Sequence, residues 1–179
     1  MKTIKFLILS IMLISFYNCE DDGPNLQDIQ SVTVEDLHAP QEGGQGQPIS
    51  GQFTKFDFET GSETNSETDW DIAFRGTSII VNGGISLGTN DEPERTGDAG
   101  VYIFNGTMAE MIVVDTSLIT QDSSEGYAIA SGSGNGWYTY TGPPTYLISP
   151  TPGKILVLSL IHIWRCRRHR SCGDRGGGG

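Results

Sequence analysis

Few side chains in the central part of the chain could support catalysis. His38 is the only histidine between residues 19 and 157, so no serine–histidine–aspartate arrangement can be assembled there. No G-x-S-x-G motif offers a nucleophilic serine either. Asp69 and Asp71 lie two residues apart and could act as an acid–base pair, although such pairs more often face solvent or cap turns. We therefore expect that the protein is not an enzyme.

The C-terminal residues 158–179 differ in composition from the rest of the chain. They contain five of the eleven lysines and arginines, with two of the three cysteines and two of the three histidines. Mixed Cys and His ligands are typical of structural zinc sites, but the spacing here matches no common zinc finger. The candidate ligands are His162, Cys166, His169 and Cys172. The letters LSLIHIWRCRR resemble a translated sequencing adapter, so we expect residues 158–179 to be a non-native artefact.

The N-terminal residues have the pattern of an export signal. Two lysines precede an almost continuous apolar run over residues 6–16, which is shorter than a transmembrane helix requires. We expect residues 1–18 to be a signal peptide, Cys19 to carry the lipid of a bacterial lipoprotein, and residues 19–30 to form a tether. The alternative is cleavage elsewhere, with Cys19 as an incidental thiol.

The body between these two ends is strongly acidic. Without the ends, four basic and twenty-one acidic residues remain, which gives a net charge of −17. Because such a surface repels phosphate backbones, we expect no nucleic-acid partner. The body has no cysteine after Cys19, so its fold must depend on a hydrophobic core and not on disulfides.

The body consists of short apolar runs separated by glycine and proline turns. In TDWDIAFRGTSIIVNGG, residues 68–84, the alternation predicts a strand with Trp70, Ile72 and Phe74 facing the core, followed by a second strand. Asn-Gly at 82–83 and at 105–106 predicts hairpin turns. Further strands are predicted at 31–37, 52–58, 101–104, 127–130, 146–148 and 154–157, and loops at 40–51 and 86–100. The pattern favours an all-β, antiparallel sandwich in one domain, residues 31–157.

Blocks in this body resemble one protein family. WDIAFRGTSIIVNGG is similar to the core signature of the HmuY family, which comprises secreted haem-binding lipoproteins of Bacteroidetes bacteria. The preceding Phe-x-Phe and Thr-Gly, and the later Gly-Trp-Tyr-x-Tyr and Pro-Gly-Lys-Ile-Leu-Val, also resemble this family, over about residues 32–157. The resemblance implies an antiparallel β-sandwich-like HmuY fold, truncated here at its C-terminus.

The resemblance also implies a location and a function. The acidic residues 20–22 resemble the signal that sends lipoproteins to the outer face of the outer membrane, although the alternative is a solvated tether. The implied function is haem capture for iron acquisition at the cell surface, with delivery to a TonB-dependent uptake receptor. The alternative is a surface lipoprotein of the same fold that does not bind haem and has another ligand or a partner role.

The haem ligands of the family have no direct counterpart in this chain. That family holds iron with His or Met residues at positions that fall near Thr141 and within 116–132 here, where neither type occurs. Residues of ligand type that could substitute are Tyr140, Met111, Met108, Tyr138 and His38. The methionines lie on an apolar stripe that could instead belong to the core, the tyrosines flank a Gly-Pro loop and could instead pack, and a lone histidine is typical of a surface.

Overall fold

A computed structural model describes residues 31–44 and 46–160 of the chain. All but residues 31–33 of this part belong to one compact unit, which begins at Val34. The predicted signal peptide, the lipidation at Cys19, the tether up to residue 30 and residues 161–179 of the predicted artefact lie outside the described residues. These assignments therefore stay predictions.

The described part of the chain is nearly all β. Its strands in chain order are β1 (Glu42–Gly44), β2 (Gln47–Ser50), β3 (Thr54–Asp57), β4 (Ser62–Thr64), β5 (Ile72–Arg75), β6 (Ser78–Val81), β7 (Gly100–Asn105), β8 (Tyr138–Tyr140), β9 (Ile148–Pro150) and β10 (Lys154–Ser159). One 3₁₀ turn, Thr116–Leu118, follows β7. All strand pairs are antiparallel, so the predicted all-β class is confirmed.

A four-stranded sheet with the order β4-β3-β5-β6 forms the centre of the fold. The predicted strand pair is present as the β5–β6 hairpin, in which Arg75 pairs with Ser78 around a two-residue turn. The first turn residue, Gly76, has a φ of 55°, which favours glycine.

The hairpin turn predicted at Asn82-Gly83 is wrong. The chain continues here past two other segments, with bridges from Gly83 to Asp98 and from Gly84 to Asp122. A Cβ atom on Gly84 would lie 1.9 Å from the carbonyl oxygen of Asp122. The glycine is therefore needed for close approach of two backbones, and not for a turn.

The central sheet is buried on both faces, although the alternation predicted one buried face. On one face Ile72 pairs with Val81 in a first cluster, which also contains Phe56 and Ile79. The opposite face carries a second cluster of Phe53, Trp70, Ala73 and Ile80. Trp70 is buried as predicted, but it precedes β5 and packs on the face opposite to Ile72. Phe74 is half-buried against the first cluster.

The β7–β10 pair forms a second layer over the first cluster. It is paired along six positions, and Val101, Ile103, Leu156 and Leu158 all belong to or pack against that cluster. The strands predicted at 101–104 and 154–157 are therefore confirmed. Strand β10 extends two residues past the predicted boundary at Val157.

Several smaller predictions are wrong. Residues 31–37 form no strand, and the side chains of Val32 and Val34 are exposed. The loop predicted at 40–51 contains the β1–β2 hairpin, and residues 127–130 form no strand. The Asn-Gly pair at 105–106 forms no hairpin because the partner of β7 is the distant β10. The strand predicted at 146–148 lies slightly later, as β9.

Candidate functional site

Residues 106–119 leave β7 and return to it as an arch. At the first foot, Gly106 N–H donates to Gly153 O at 2.8 Å, beside the start of β10. At the second foot, Val101 and Thr120 exchange two backbone hydrogen bonds, of 2.9 and 3.0 Å. Because both feet are bonded to the β7–β10 region, the arch is fixed at both ends.

Two carboxylates fix turns inside the arch. Glu110 accepts hydrogen bonds from the backbone N–H and the hydroxyl of Thr107, at 2.7 and 2.9 Å. Asp115 accepts from the hydroxyl and the backbone N–H of Ser117, at 2.6 and 3.0 Å. These bonds lower the pKa of the Glu110 and Asp115 side chains, so both are negatively charged at neutral pH.

The segment between these two turns, residues 111–114, is apolar and is called the crest here. Ile112 is 89% exposed, Val113 79% and Val114 46%, and Met111 is half-buried. Met108, before the first turn, is 68% exposed. The interpretation of this stripe as core is therefore wrong for Met108, and both candidate methionines are accessible from solvent.

Tyr140, the first tyrosine candidate, lies at the end of β8 in the β8–β9 hairpin. Its side chain is 44% exposed, and its backbone N–H donates to the Ser133 hydroxyl at 2.8 Å. The hairpin tip is ordered by Thr141, whose N–H donates to Leu147 O at 3.0 Å. Three further exposed apolar or aromatic residues follow in this tip: Tyr146, Leu147 and Ile148. Tyr140 is therefore an accessible phenol beside an apolar surface.

Tyr138, the second tyrosine candidate, is buried. Its hydroxyl accepts a hydrogen bond of 3.2 Å from the Thr77 hydroxyl, in the turn of the β5–β6 hairpin. The indole N–H of Trp137 donates to Thr77 O at 2.9 Å beside it. Tyr138 therefore fastens β8 to the central hairpin, and its phenol oxygen is already used in packing.

The arch and the β8–β9 hairpin leave the same end of the β7–β10 pair. The arch begins after Asn105, which pairs with Lys154 at the start of β10. Strand β9 reaches the same Lys154 through residues 151–153 only. The segment with Met111 and the hairpin with Tyr140 are therefore both connected to the Asn105–Lys154 end of the β7–β10 pair.

His38 lines a separate, polar cleft of about 380 Å³ between the segment before β1 and strands β3 and β4. Carboxylates from Glu42, Glu63 and Glu67 also line it, and Lys55 Nζ pairs with the Glu67 carboxylate at 3.0 Å. A slot for haem is mostly apolar, so this cleft does not have the chemistry of a porphyrin site.

A buried ionic cluster connects the long polar loop, residues 86–98, to the core. The Arg95 guanidinium contacts the carboxylate of Glu92 at 2.6 Å and that of Asp122 at 2.9 Å, and all three side chains are almost fully inaccessible. Burial raises the pKa of the Asp122 carboxyl, and its hydrogen bonds from Ala128, Arg95 and Val81 only partly oppose this. Burial would also raise the pKa of Glu92, but hydrogen bonds from Thr89 and Leu87 and the charge of Arg95 outweigh it and lower that pKa.

This cluster was not among the predicted functional residues. Only four basic residues occur in the acidic body, and two of them are the buried arginines Arg75 and Arg95. That scarcity is the only trace of the cluster in the sequence, because its acidic partners are indistinguishable from the many surface carboxylates. The cluster holds the long polar loop against Asp122, so we assign it a structural role.

The two carboxylates considered as an acid–base pair lie in different surroundings. Asp71 is buried and accepts a hydrogen bond of 2.8 Å from Phe58 N–H. Asp69 is exposed and accepts from the Ser66 hydroxyl at 3.3 Å. Each carboxylate therefore orders a neighbouring turn.

Within residues 31–44 and 46–160, no group of three or more His, Cys, Asp or Glu side chains could hold a metal ion. No helix in the same ranges is long and apolar enough to cross a membrane. In comparisons with known proteins, no family model, no curated protein and no solved structure matches the chain.

Proposed function

We propose that this protein is a HmuY-like surface lipoprotein that captures haem and delivers it to an outer-membrane uptake receptor. One observation carries the proposal: Tyr140 and Met111, both accessible and both of iron-ligand type, lie on two apolar segments that leave the same end of the β7–β10 pair. Tyrosine and methionine both serve as axial haem ligands in proteins. The remaining support is the sequence resemblance over residues 32–157.

The residues present fit haem in chemical type and in exposure. Tyr140 would hold the iron through its phenol oxygen, and Met111 through its thioether sulfur. Leu147 and Ile148 are exposed beside Tyr140 and would cover part of a porphyrin face. The Ser133 hydroxyl fixes the backbone of Tyr140, so the phenol is held on an ordered hairpin. Bound haem would be cargo, with its iron supplied to the receptor.

Haem titration tests this proposal directly. The full chain, titrated with haem, is expected to give a shifted Soret band, with a dissociation constant below about 10 µM. Tyr140→Phe and Met111→Leu keep the shape of each side chain and remove the ligand atom, so each is expected to weaken binding. Tyr146→Phe, the same change in the same hairpin tip, is the matched control and is expected to bind as the unchanged protein does.

Three outcomes separate the parts of the proposal. Binding that is unchanged in both ligand variants contradicts these ligands while haem binding itself stands. Loss of haem binding in Tyr146→Phe alone would identify Tyr146, and not Tyr140, as the iron ligand. No shifted band at about 10 µM haem contradicts the haem proposal altogether.

The lipoprotein part of the proposal has its own test. Cys19→Ala removes the thiol that would receive the lipid, and the protein is then expected to move from the membrane fraction to the soluble fraction. Because the proposal places the protein on the cell surface, protease added to intact cells is expected to digest the unchanged protein. Unchanged membrane fractionation of the variant would refute lipidation at this residue.

A second candidate function is a surface lipoprotein of the same fold with a ligand other than haem. The observation that favours it is the cleft of about 380 Å³ with His38, whose lining is polar and rich in carboxylates. A cleft of this size suits a small polar ligand better than a porphyrin. Failure of the haem titration would leave this function as the one to pursue.

A further inference from the structure

We propose that the crest, residues 111–114, is a docking surface for a protein partner that presents an apolar groove with basic residues at both ends. The proposal goes beyond haem capture, and it does not depend on haem. It uses the exposed β-branched side chains of Ile112, Val113 and Val114, none of which can bind iron. Met111, a proposed iron ligand, is the first residue of the crest, but the docking contact is assigned to the three residues after it. The proposed function names a receptor without a contact surface, whereas this proposal names a contact surface and the chemistry of its partner.

The first argument is the exposure of the crest. Single exposed apolar side chains are common on proteins, but Ile112, Val113 and Val114 are consecutive and all exposed. Exposed apolar residues before and after them, Met108 and Leu118, extend the same segment. A contiguous apolar surface of this kind is typical of an interaction site.

The second argument is that the crest is already ordered. The arch is hydrogen-bonded at both feet, through Gly106 and Thr120, and its two inner turns are fixed by the carboxylates of Glu110 and Asp115. A segment that is held in one conformation before binding loses little conformational entropy on binding.

The third argument is charge. The crest is flanked on both sides by ionised carboxylates, Glu110 and Asp115, on a body with a net charge of −17. These charges repel an anionic lipid surface. In a twofold contact between two crests, they would also face the same carboxylates of the second copy. A groove with lysine or arginine at each end is the complementary partner, because opposite charges fix the register of an apolar segment.

Site-specific cross-linking in cells tests the proposal. A photoreactive benzoylphenylalanine replaces Ile112 in the full chain, and the same group at Ile85 is the control, because Ile85 is also an exposed isoleucine in a loop. We expect one discrete adduct with another protein at position 112 and none at position 85. The cross-linked peptide of the partner is expected to be apolar and to lie beside Lys or Arg.

The same experiment contains the outcomes that overturn the proposal. An adduct of twice the mass of the chain would mean a second copy, and an adduct with lipid would mean a membrane surface. A cross-link to residues 1–30 or 161–179 would mean that the chain covers its own crest. Absence of any adduct, or equal adducts at both positions, would also contradict it.

Two further variants separate docking from folding and from haem binding. Val113→Asp places a charge in the crest and is expected to lower the adduct yield at least about tenfold, while the midpoint of urea unfolding stays unchanged. Tyr140→Phe is expected to leave the adduct unchanged, so failure of haem binding and failure of docking remain distinguishable. Unchanged adduct in Val113→Asp would refute the crest as the contact.

Discussion

The Asp122 carboxylate lies where the long loop, β6 and the segment before β8 meet, and Asp122→Asn is the sharpest test of the fold. One oxygen, Oδ2, accepts from Arg95 Nε and Nη2 at 3.1 and 2.9 Å and from Val81 N–H at 3.2 Å. The other, Oδ1, accepts from Ala128 N–H at 2.8 Å. Asparagine has nearly the same shape, but it replaces one accepting oxygen by an NH₂ group. If the remaining oxygen of the asparagine accepts from Ala128 N–H, its NH₂ group faces the N–H donors of Arg95 and Val81, and donors cannot bond to one another.

The size of the expected loss in the free energy of unfolding depends on which charges remain buried in Asp122→Asn. Removing one partner of a buried ion pair costs about 3–5 kcal/mol, because the other charge stays buried. Arg95 keeps the Glu92 carboxylate at 2.6 Å, and the variant no longer buries the Asp122 charge, so the loss falls at the lower end of that range. We expect Asp122→Asn to lower the free energy of unfolding by about 3 kcal/mol.

Urea unfolding at pH 7 measures this change. The matched control is Asp98→Asn, the same substitution at an exposed aspartate, which is expected to alter stability by less than about 0.5 kcal/mol. The slope of the free energy with urea should be the same in both variants, because the folded state remains compact. A loss below about 1 kcal/mol in Asp122→Asn, or a loss equal to the control, would refute the reasoning.

Three further predictions concern the core and its pH dependence. Trp70→Ala is expected to cost about 3–5 kcal/mol in urea unfolding, because the indole is 1% exposed in the second cluster, and a loss under about 1 kcal/mol would contradict its burial. Gly84→Ala is expected to cost at least about 2 kcal/mol more than Gly88→Ala, since both have positive φ but only the first Cβ would meet backbone, and equal losses would contradict the close approach. The pKa of Glu92 is below its ordinary 4.5 in the folded state, so its contribution to stability is present above pH 4.5 and is lost as the pH falls through the folded-state pKa. In Glu92→Gln, the free energy of unfolding is therefore expected to fall less steeply below pH 4.5 than in the unchanged protein, whereas Glu94→Gln, at an exposed position, should keep the original pH dependence. Parallel curves of unfolding free energy against pH for Glu92→Gln and the unchanged protein would contradict the prediction.

Three of the four strands of the central sheet were predictable. Apolar residues alternate in β3 and β5, and β6 is a run of β-branched residues, whereas β4 is polar and was not predicted. These local patterns do not show that both faces of the sheet are covered, because Phe53 and Tyr127, which help to cover the Ala73 side, are distant in sequence. Arg75 is buried with its guanidinium bonded to Gly51 O and Thr89 Oγ1 and stacked 4.1 Å above the ring of Phe53. A charged residue in an alternating pattern predicts a solvent face, and here these distant acceptors override that rule.

The candidate site was only partly predictable for a similar reason. The sequence indicates which residue types could bind iron, and by type Tyr140, Met111, Met108 and Tyr138 are all candidates. It does not indicate exposure: the apolar stripe allows the methionines to be core residues, although Met108 is exposed, and Tyr138 is a candidate although it is buried. The arch was also not predictable, because its second foot at Thr120 bonds back to Val101 through a contact that no local pattern encodes.

Within the described ranges, no strand pairs with the outer edge of β6, and the end of that edge is capped by Asp122 instead. The N–H of Val81 donates to a carboxylate 41 residues further along the chain, and Gly83 and Gly84 make single bridges to residues 98 and 122. While the chain is being made, the β5–β6 hairpin therefore has an open edge until Asp122 has emerged. Open edges pair with other chains. A fragment that ends before Asp122 would expose this edge to aggregation, whereas a fragment that includes Ala128 would already carry its cap.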